Sequence, residues 1–136
     1  EATMSHYLID GYNLINLSDV LESCGHDMSL SRDVLFSKLK TFLNSQKGSV
    51  ATIVYDSKIG VLNVHNTERD SRIHVIFASA SEIADFKIQK ILASEPDEGK
   101  RQNYTVASSD SDIRRESMFK FAKTMTSEDF AELAGI

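Results

Sequence analysis

The sequence predicts a three-layer α/β/α sandwich built on a mostly parallel sheet. Three observations predict it. Short β-branched runs alternate with longer segments of helical spacing, the pattern of a sheet whose strands are joined by crossover helices. Turn-forming residues punctuate that alternation at Asp10-Gly11, Gly48 and Pro96 to Gly99. Three of the strand-like runs end in an aspartate, Asp10, Asp56 and Asp110, and in open α/β sheets ligands bind beyond the carboxyl ends of the strands.

Taken in order, His6 to Asp10 is a short apolar run closed by Asp-Gly, a buried strand followed by a turn. Residues 16 to 30 carry weak periodicity and are expected to form an irregular connection. A helix is expected from near Ser31: Leu35, Leu39, Phe42 and Leu43 recur at helical spacing, Asp33 falls in the first turn, and Gly48 lies beyond the end. Val50 to Tyr55 is a second β-branched strand ending at Asp56, and the polar residues 57 to 71 read as a loop. Ile73 to Phe77 is a third strand. A second helix is expected from Ser81 to Ser94, with Ala84, Ile88, Ile91 and Leu92 as its buried stripe and Pro96-Asp97-Glu98-Gly99 as the turn after it. Tyr104 to Ala107 is a fourth strand leading into Ser108-Ser109-Asp110. A short helix over Asp112 to Met118, a fifth strand over Phe121 to Met125, and a last helix capped by Ser127 and running through Glu132 complete the pattern.

The 136 residues fit one domain, expected over residues 4–136, with Glu1-Ala2-Thr3 before Met4 reading as an expression scar. Hydrophobic residues at 41% and charged residues at 26% match an ordered globular chain and exclude a disordered one. The lone Cys24 cannot form an internal disulfide, which points to a reducing, cytoplasmic setting and an incidental thiol. No run approaches the ~20 apolar residues of a membrane span, so no membrane partner is expected. One cysteine and four histidines without ligand spacing argue against zinc, and the lack of a Gly-rich phosphate loop argues against a nucleotide cofactor. The net charge of −5 argues against the broad electrostatic grip of a general nucleic-acid binder, although bound cations can reverse the sign of an acidic site.

The aspartates carry the chemistry. Singly, a strand-end aspartate is most often a turn residue whose side chain caps backbone N–H groups. Three such positions on neighbouring strands bring carboxylates to one patch, where they repel unless a cation sits among them. Oxygen-only donors suit Mg²⁺ or Mn²⁺, which activates water and stabilises the charge that develops in phosphodiester cleavage. Asp85 on the second helix shares a face with Glu82, three residues earlier and off the apolar stripe. Glu82 reads equally as a capping-box partner for Ser79, and Asp85 as a favourable charge near a helix start.

Tyr7-Leu8-Ile9-Asp10-Gly11-Tyr12-Asn13-Leu14-Ile15 resembles the opening strand and turn of NYN nucleases of the YacP-like branch, within the PIN-like superfamily. Val54-Tyr55-Asp56, Ser81-Glu82-Ile83-Ala84-Asp85, Val106-Ala107-Ser108-Ser109-Asp110 and Ser127-Glu128-Asp129-Phe130 resemble further family segments in the same order, over nearly the full chain. The resemblance implies a PIN-like (Rossmann-like) fold, Mg²⁺ or Mn²⁺ as cofactor, and RNA hydrolysis. By position it implies that Asp10, Asp85 and Asp110 are the principal catalytic, metal-binding carboxylates. Asp56 would be an auxiliary acid and Asn13 would orient the site. Beside what the resemblance implies, Glu82 and Asp112 are further candidate ligands and Ser109 a further orienting residue. The resemblance also implies RNA as partner, messenger RNA in particular, and in some family members the ribosome; single-stranded RNA is expected because a cleft at a sheet edge admits an unpaired strand more easily than a duplex. The chain departs from the family where Ser81 and Ile83 replace Asn and Thr, in Ser111-Asp112-Ile113, and after Asp56. Asp112 reads either as a further ligand or as the cap of the helix that follows.

Around the expected mouth, Arg114, Arg115, Lys58, Arg69, Arg72 and Lys87 are candidates to hold RNA phosphates, with Arg114-Arg115 preferred because the pair directly follows the Asp110 strand end. Tyr12 is a candidate to stack on a base, or else packs over the first strand. Two alternatives stand beside the nuclease. One is a PIN-like module that binds RNA or the ribosome with weak or lost catalysis. The other is a Mg²⁺-dependent phosphoacceptor signalling domain using Asp56 and Lys123, against which Gly11 stands where a second acid is usual.

Overall fold

The computed structural model describes residues 5–56, 70–78 and 84–136. The expected loop over 57–71 therefore lies mostly outside the described residues, as do the Ser79–Glu82 capping box, the start of the second helix, and Glu1 to Met4.

The chain runs β1 (His6–Asp10), α1 (Gly11–Leu17), α2 (Val20–Ser23), α3 (Met28–Asn44), β2 (Val50–Tyr55), β3 (Ile73–Phe77), α4 (Ala84–Ser94), α5 (Glu98–Arg101), β4 (Tyr104–Ala107), α6 (Ser111–Phe119), β5 (Lys123–Met125) and α7 (Ser127–Ala134). The five strands form a parallel sheet in the order β3-β2-β1-β4-β5. The chain moves outward from β1 through β2 to β3, then returns to β4 on the other side of β1. The order thus reverses between β1 and β4, and that reversal opens a crevice at their carboxyl ends.

Strand alternation sorts the core into two faces. Tyr7 and Ile9 of β1 and Ala51, Ile53 and Tyr55 of β2 pack with Leu14, Leu35, Leu39, Leu43 and Phe130 of α1, α3 and α7. Leu8, Val54 and Val106 point the other way, onto Ala84, Ile88 and Leu92 of α4 and Ile113 of α6. The sheet is therefore covered on both faces, and its carboxyl edge remains for function.

Several expectations need correction. Residues 16–30 are not an irregular connection: β1 passes straight into α1, α2 follows, and α3 begins at Met28, where the Asp27 carboxylate accepts the Leu30 N–H at 3.1 Å. Asp33 consequently lies beyond the first turn. Helices this short bury few apolar side chains, Leu14 and Ile15 in α1 and Val20 in α2, too few to make a periodic signal. The Pro96 turn contains the one-turn α5. The fifth strand starts at Lys123 rather than Phe121, because Phe121 adopts a left-handed conformation (φ 69°) that closes α6. The Ala122 N–H bonds back to the Ser117 carbonyl at 3.1 Å, as in a Schellman motif. The last helix is capped by Thr126, whose hydroxyl accepts the Asp129 N–H at 3.0 Å; Ser127 turns inward instead.

Candidate active site

Asp10 ends β1 and leads α1 out of the crevice. The helix can start there because Gly11 has no side chain: a Cβ would stand 2.4 Å from Tyr55 Cε1 and 2.9 Å from Ile53 Cγ2. Two residues on, Asn13 ties three elements together. Its Oδ1 accepts the Ser109 N–H at 2.9 Å and the Ser127 hydroxyl at 2.5 Å, joining α1 to the β4–α6 turn and to α7.

Ser108, fully buried at the end of β4, is the second hinge. Its hydroxyl donates to Asp10 Oδ2 at 3.5 Å and accepts the Asp110 N–H at 3.1 Å, so one side chain links two of the aspartates. Asp110 caps α6, Oδ1 accepting the N–H groups of Asp112 at 2.8 Å and Ile113 at 3.4 Å. The capping role weighed for Asp112 thus belongs to Asp110. Asp112 stands in the first turn of α6 and pairs with Arg115 at 2.5 Å.

Asp85 lies in the first turn of α4, and its Oδ1 accepts from Gln89 Nε2 at 3.4 Å. Gln89 Nε2 reaches the Ser117 hydroxyl of α6 at 3.2 Å, and its Oε1 accepts from Lys120 at 2.9 Å, so α4 and α6 are fastened beside the acids.

The electrostatics record how these carboxyls sit. Burial pushes Asp10 up to about 6, partly offset by the nearby Asn13 N–H and the Ser108 hydroxyl, and the charges of Asp110 and Asp56 raise it further. Asp85 is also raised, first by burial and then by Glu116, with Asp110 adding to the rise and Gln89 and Lys120 opposing it. Asp56, Asp10, Asp110 and Asp85 therefore form a chain of carboxyls that feel one another's charge across the β1–β4 crevice. Among the described residues no three acids, histidines or cysteines stand close enough to chelate an ion by themselves. The oxygen-only donor set nevertheless fits Mg²⁺, which keeps several waters and takes only one or two carboxylates directly. A cation would also relieve the repulsion that raises Asp10.

Other expected residues are placed as follows. Glu82, Lys58 and Arg69 lie outside the described residues. Arg72 does not reach the mouth. It precedes β3 at the opposite, amino edge of the sheet and is held by Asp70 at 2.8 Å. Lys87 is in the first turn of α4, close in sequence to Asp85. Tyr12 packs inward, its ring 4.8 Å from that of Tyr55 and its hydroxyl accepting from Arg32 at 3.1 Å. Arg114 donates to the Ser108 carbonyl at 2.8 Å. Ser109 donates to Glu128 of α7, which holds that carboxyl below the ordinary carboxylate range.

Lys123 is poorly placed for a phosphoacceptor site. It aligns with Thr105, which aligns with Tyr7, three residues and about 10 Å short of Asp10. Sequence reasoning missed Ser108, Glu116 and the inward role of Ser127. The serine doublet before Asp110 was a usable signal for the first, and the Asp112–Glu116 helical spacing for the second; Ser127 gave none, because it reads as an ordinary cap.

Comparison with known proteins places this arrangement. Residues 7–134 match the family described as the YacP-like NYN domain. The chain is similar to Uncharacterized protein YacP of Bacillus subtilis (strain 168), 30% identical over 89 residues that make up 65% of this chain and 51% of that protein. It thus spans about half the length of that curated relative. Its fold is similar to the crystal structure of Rae1 (YacP) from Bacillus subtilis, with a TM-score of 0.76 at 25% identity over 97% of this chain and 74% of that one. A tryptophan-to-leucine mutant of Rae1 gives a TM-score of 0.72 at 22% identity, covering 96% and 74%.

Proposed function

The chain belongs to the YacP-like NYN family, a nuclease-type branch of the PIN-like fold, and from that premise we propose that it is a metal-dependent endoribonuclease. The observation that supports the reading is the Ser108 hydroxyl set between two of the acids, donating to Asp10 Oδ2 and accepting the Asp110 N–H at the ends of the neighbouring strands β1 and β4; the charge of Asp110 also reaches Asp85. Asp10, Asp85 and Asp110 would hold Mg²⁺ or Mn²⁺, with Asp56 and Asp112 as auxiliary acids. The bound cation would supply an activated water and neutralise charge on the cleaved phosphodiester.

The rest of the task falls to this chain's own groups. The Ser108 hydroxyl fixes the Asp10 carboxylate, and Asn13 locks the Asp10 end of α1 to the turn that carries Asp110. Capping of α6 fixes the Asp110 rotamer. Arg114, oriented by the Ser108 carbonyl, and the exposed Arg115 stand beside Asp110 to receive phosphates. An open crevice at a sheet edge admits an unpaired strand more readily than a duplex, which favours single-stranded RNA. Messenger RNA on the ribosome is the form of that substrate proposed here.

That no three acids, histidines or cysteines among the described residues form a ready chelating group favours one second reading, a PIN-like module that binds RNA or the ribosome without efficient cleavage. A cleavage assay separates the two, on free and ribosome-bound RNA, with Mn²⁺, Mg²⁺ or chelator. The nuclease reading predicts cation-dependent cleavage that falls at least about a hundredfold in Asp10→Asn and Asp85→Asn. Binding without cleavage on both substrates supports the module, and activity that persists in chelator and in both variants contradicts the proposed mechanism.

A further inference from the structure

Along α6, Ser111, Arg114, Arg115 and Met118 follow one another at helical spacing, on a stripe distinct from the buried Ile113 and Ser117. Together with Phe119 and with Thr124 of β5 they line a depression of about 400 Å³. That size lies within the roughly 300–1,000 Å³ range of small-ligand sites. Its apolar part is unusually open: Met118 is 62% and Phe119 77% exposed, with Phe121 at 48% just beyond. Scattered apolar residues need no explanation, but a cluster at one end of a helix marks a contact surface.

From this geometry we infer a nucleotide-binding subsite for single-stranded RNA between α6 and β5, with a base seated on Phe119 and Met118 and its phosphate at Arg114 and Arg115. The inference rests on the reading that RNA is the substrate. Charge favours an anionic occupant: among the described residues the lining includes two arginines, whose acidic neighbours Asp112 and Glu128 stand outside it, in a chain of net charge −5. Arg114 is anchored by donating through Nη1 to the Ser108 carbonyl and feels the Glu128 carboxylate, and its guanidinium carries further N–H donors for a phosphate. Among the described residues Arg115 pairs with Asp112, at the surface with 65% of its side chain exposed, and such pairs are weak enough to exchange for a phosphate.

Position supports the same occupant. Ser111 directly follows Asp110, and Met118 lies about 12 Å further along the helix axis. A nucleotide flanking the one at the acids therefore reaches the depression. A flat aromatic face next to cations is the arrangement single-stranded nucleic acid uses, and it tolerates any base because every base has a π-face.

The test is binding of a short fluorescent single-stranded RNA, measured by anisotropy in chelator so that no cleavage occurs. Phe119 is exposed, so Phe119→Ala leaves the core intact. Phe119→Ala is expected to weaken binding roughly tenfold and Phe119→Trp to retain it. Adenosine monophosphate is expected to shift the Met118 methyl resonance in methyl-labelled protein. Equal RNA affinity in wild type and Phe119→Ala overturns the subsite, and so does concentration-dependent dimerisation abolished by Phe119→Ala with RNA affinity unchanged, which would give the surface to a second copy of the chain. The two readings fail separately. Cleavage lost in Asp10→Asn with unaltered binding by Phe119→Ala keeps the nuclease and removes the subsite. RNA binding through Phe119 in a protein that never cleaves does the reverse.

Discussion

At neutral pH the Asp10 carboxylate sits where burial and two neighbouring acids disfavour its charge. Its value is 3.8 in the open chain and about 6 in the fold. Between those values the folded state holds the proton more tightly, so stability falls as pH rises through the window and the full penalty stands above it. With about 1.4 kcal/mol per pKa unit, and a discount for solvent screening, the penalty is about 2 kcal/mol. Asp10→Asn, whose amide oxygen can still accept from Ser108, should therefore be more stable than wild type by about that amount near pH 7 in chelator, with little difference below about pH 4. Thermal or urea unfolding across pH checks this; equal stability at both pH values would contradict it. Such a cost in stability is the trade expected of Asp10 if it serves the proposed reaction.

Among the elements, the seat of α1 governs the site, since that helix carries Asn13 and begins at Asp10. Gly11 lets the Tyr55 ring lie against the helix start. A methyl there meets the ring of a fully buried tyrosine, flanked by Tyr12 and Phe77, that has little room to move. Gly11→Ala should cost about 1–3 kcal/mol, as overpacking does, read as a lower urea midpoint with an unchanged slope. An unchanged midpoint would mean that the ring moves freely. The elements also show what is legible in a sequence. Strands β1 to β4 announce themselves as short apolar, β-branched runs bounded by turn residues, and α3 because its buried stripe repeats at helical spacing over 17 residues. Helices α1, α2 and α5 do not, since four to seven residues give too few repeats. The end of α6 was hidden for another reason: the left-handed residue that closes it is Phe121, where a glycine is the usual sign.

For the whole molecule, the layer architecture and parallel sheet follow from the alternation of elements, and the strand-end aspartates mark the carboxyl edge. What stayed illegible is the strand order, because nothing local in β4 says that it pairs with β1. That order brings Asp110 beside Asp10. The place of Arg72 is legible by contrast, since it directly precedes β3 and so falls at the amino edge of a parallel sheet, with Asp70. The hydrogen bonds of Ser108, Ser127 and Gln89 were invisible, since each spans residues distant in sequence.

Whether Asp10, Asp85 and Asp110 share one divalent cation, as proposed, is read directly by paramagnetic line broadening with substoichiometric Mn²⁺. Amide signals near Asp10, Asp85 and Asp110 should broaden together, and Asp10→Asn should remove the effect at all three places. Broadening confined to one of these segments, or unchanged in Asp10→Asn, would contradict the shared site.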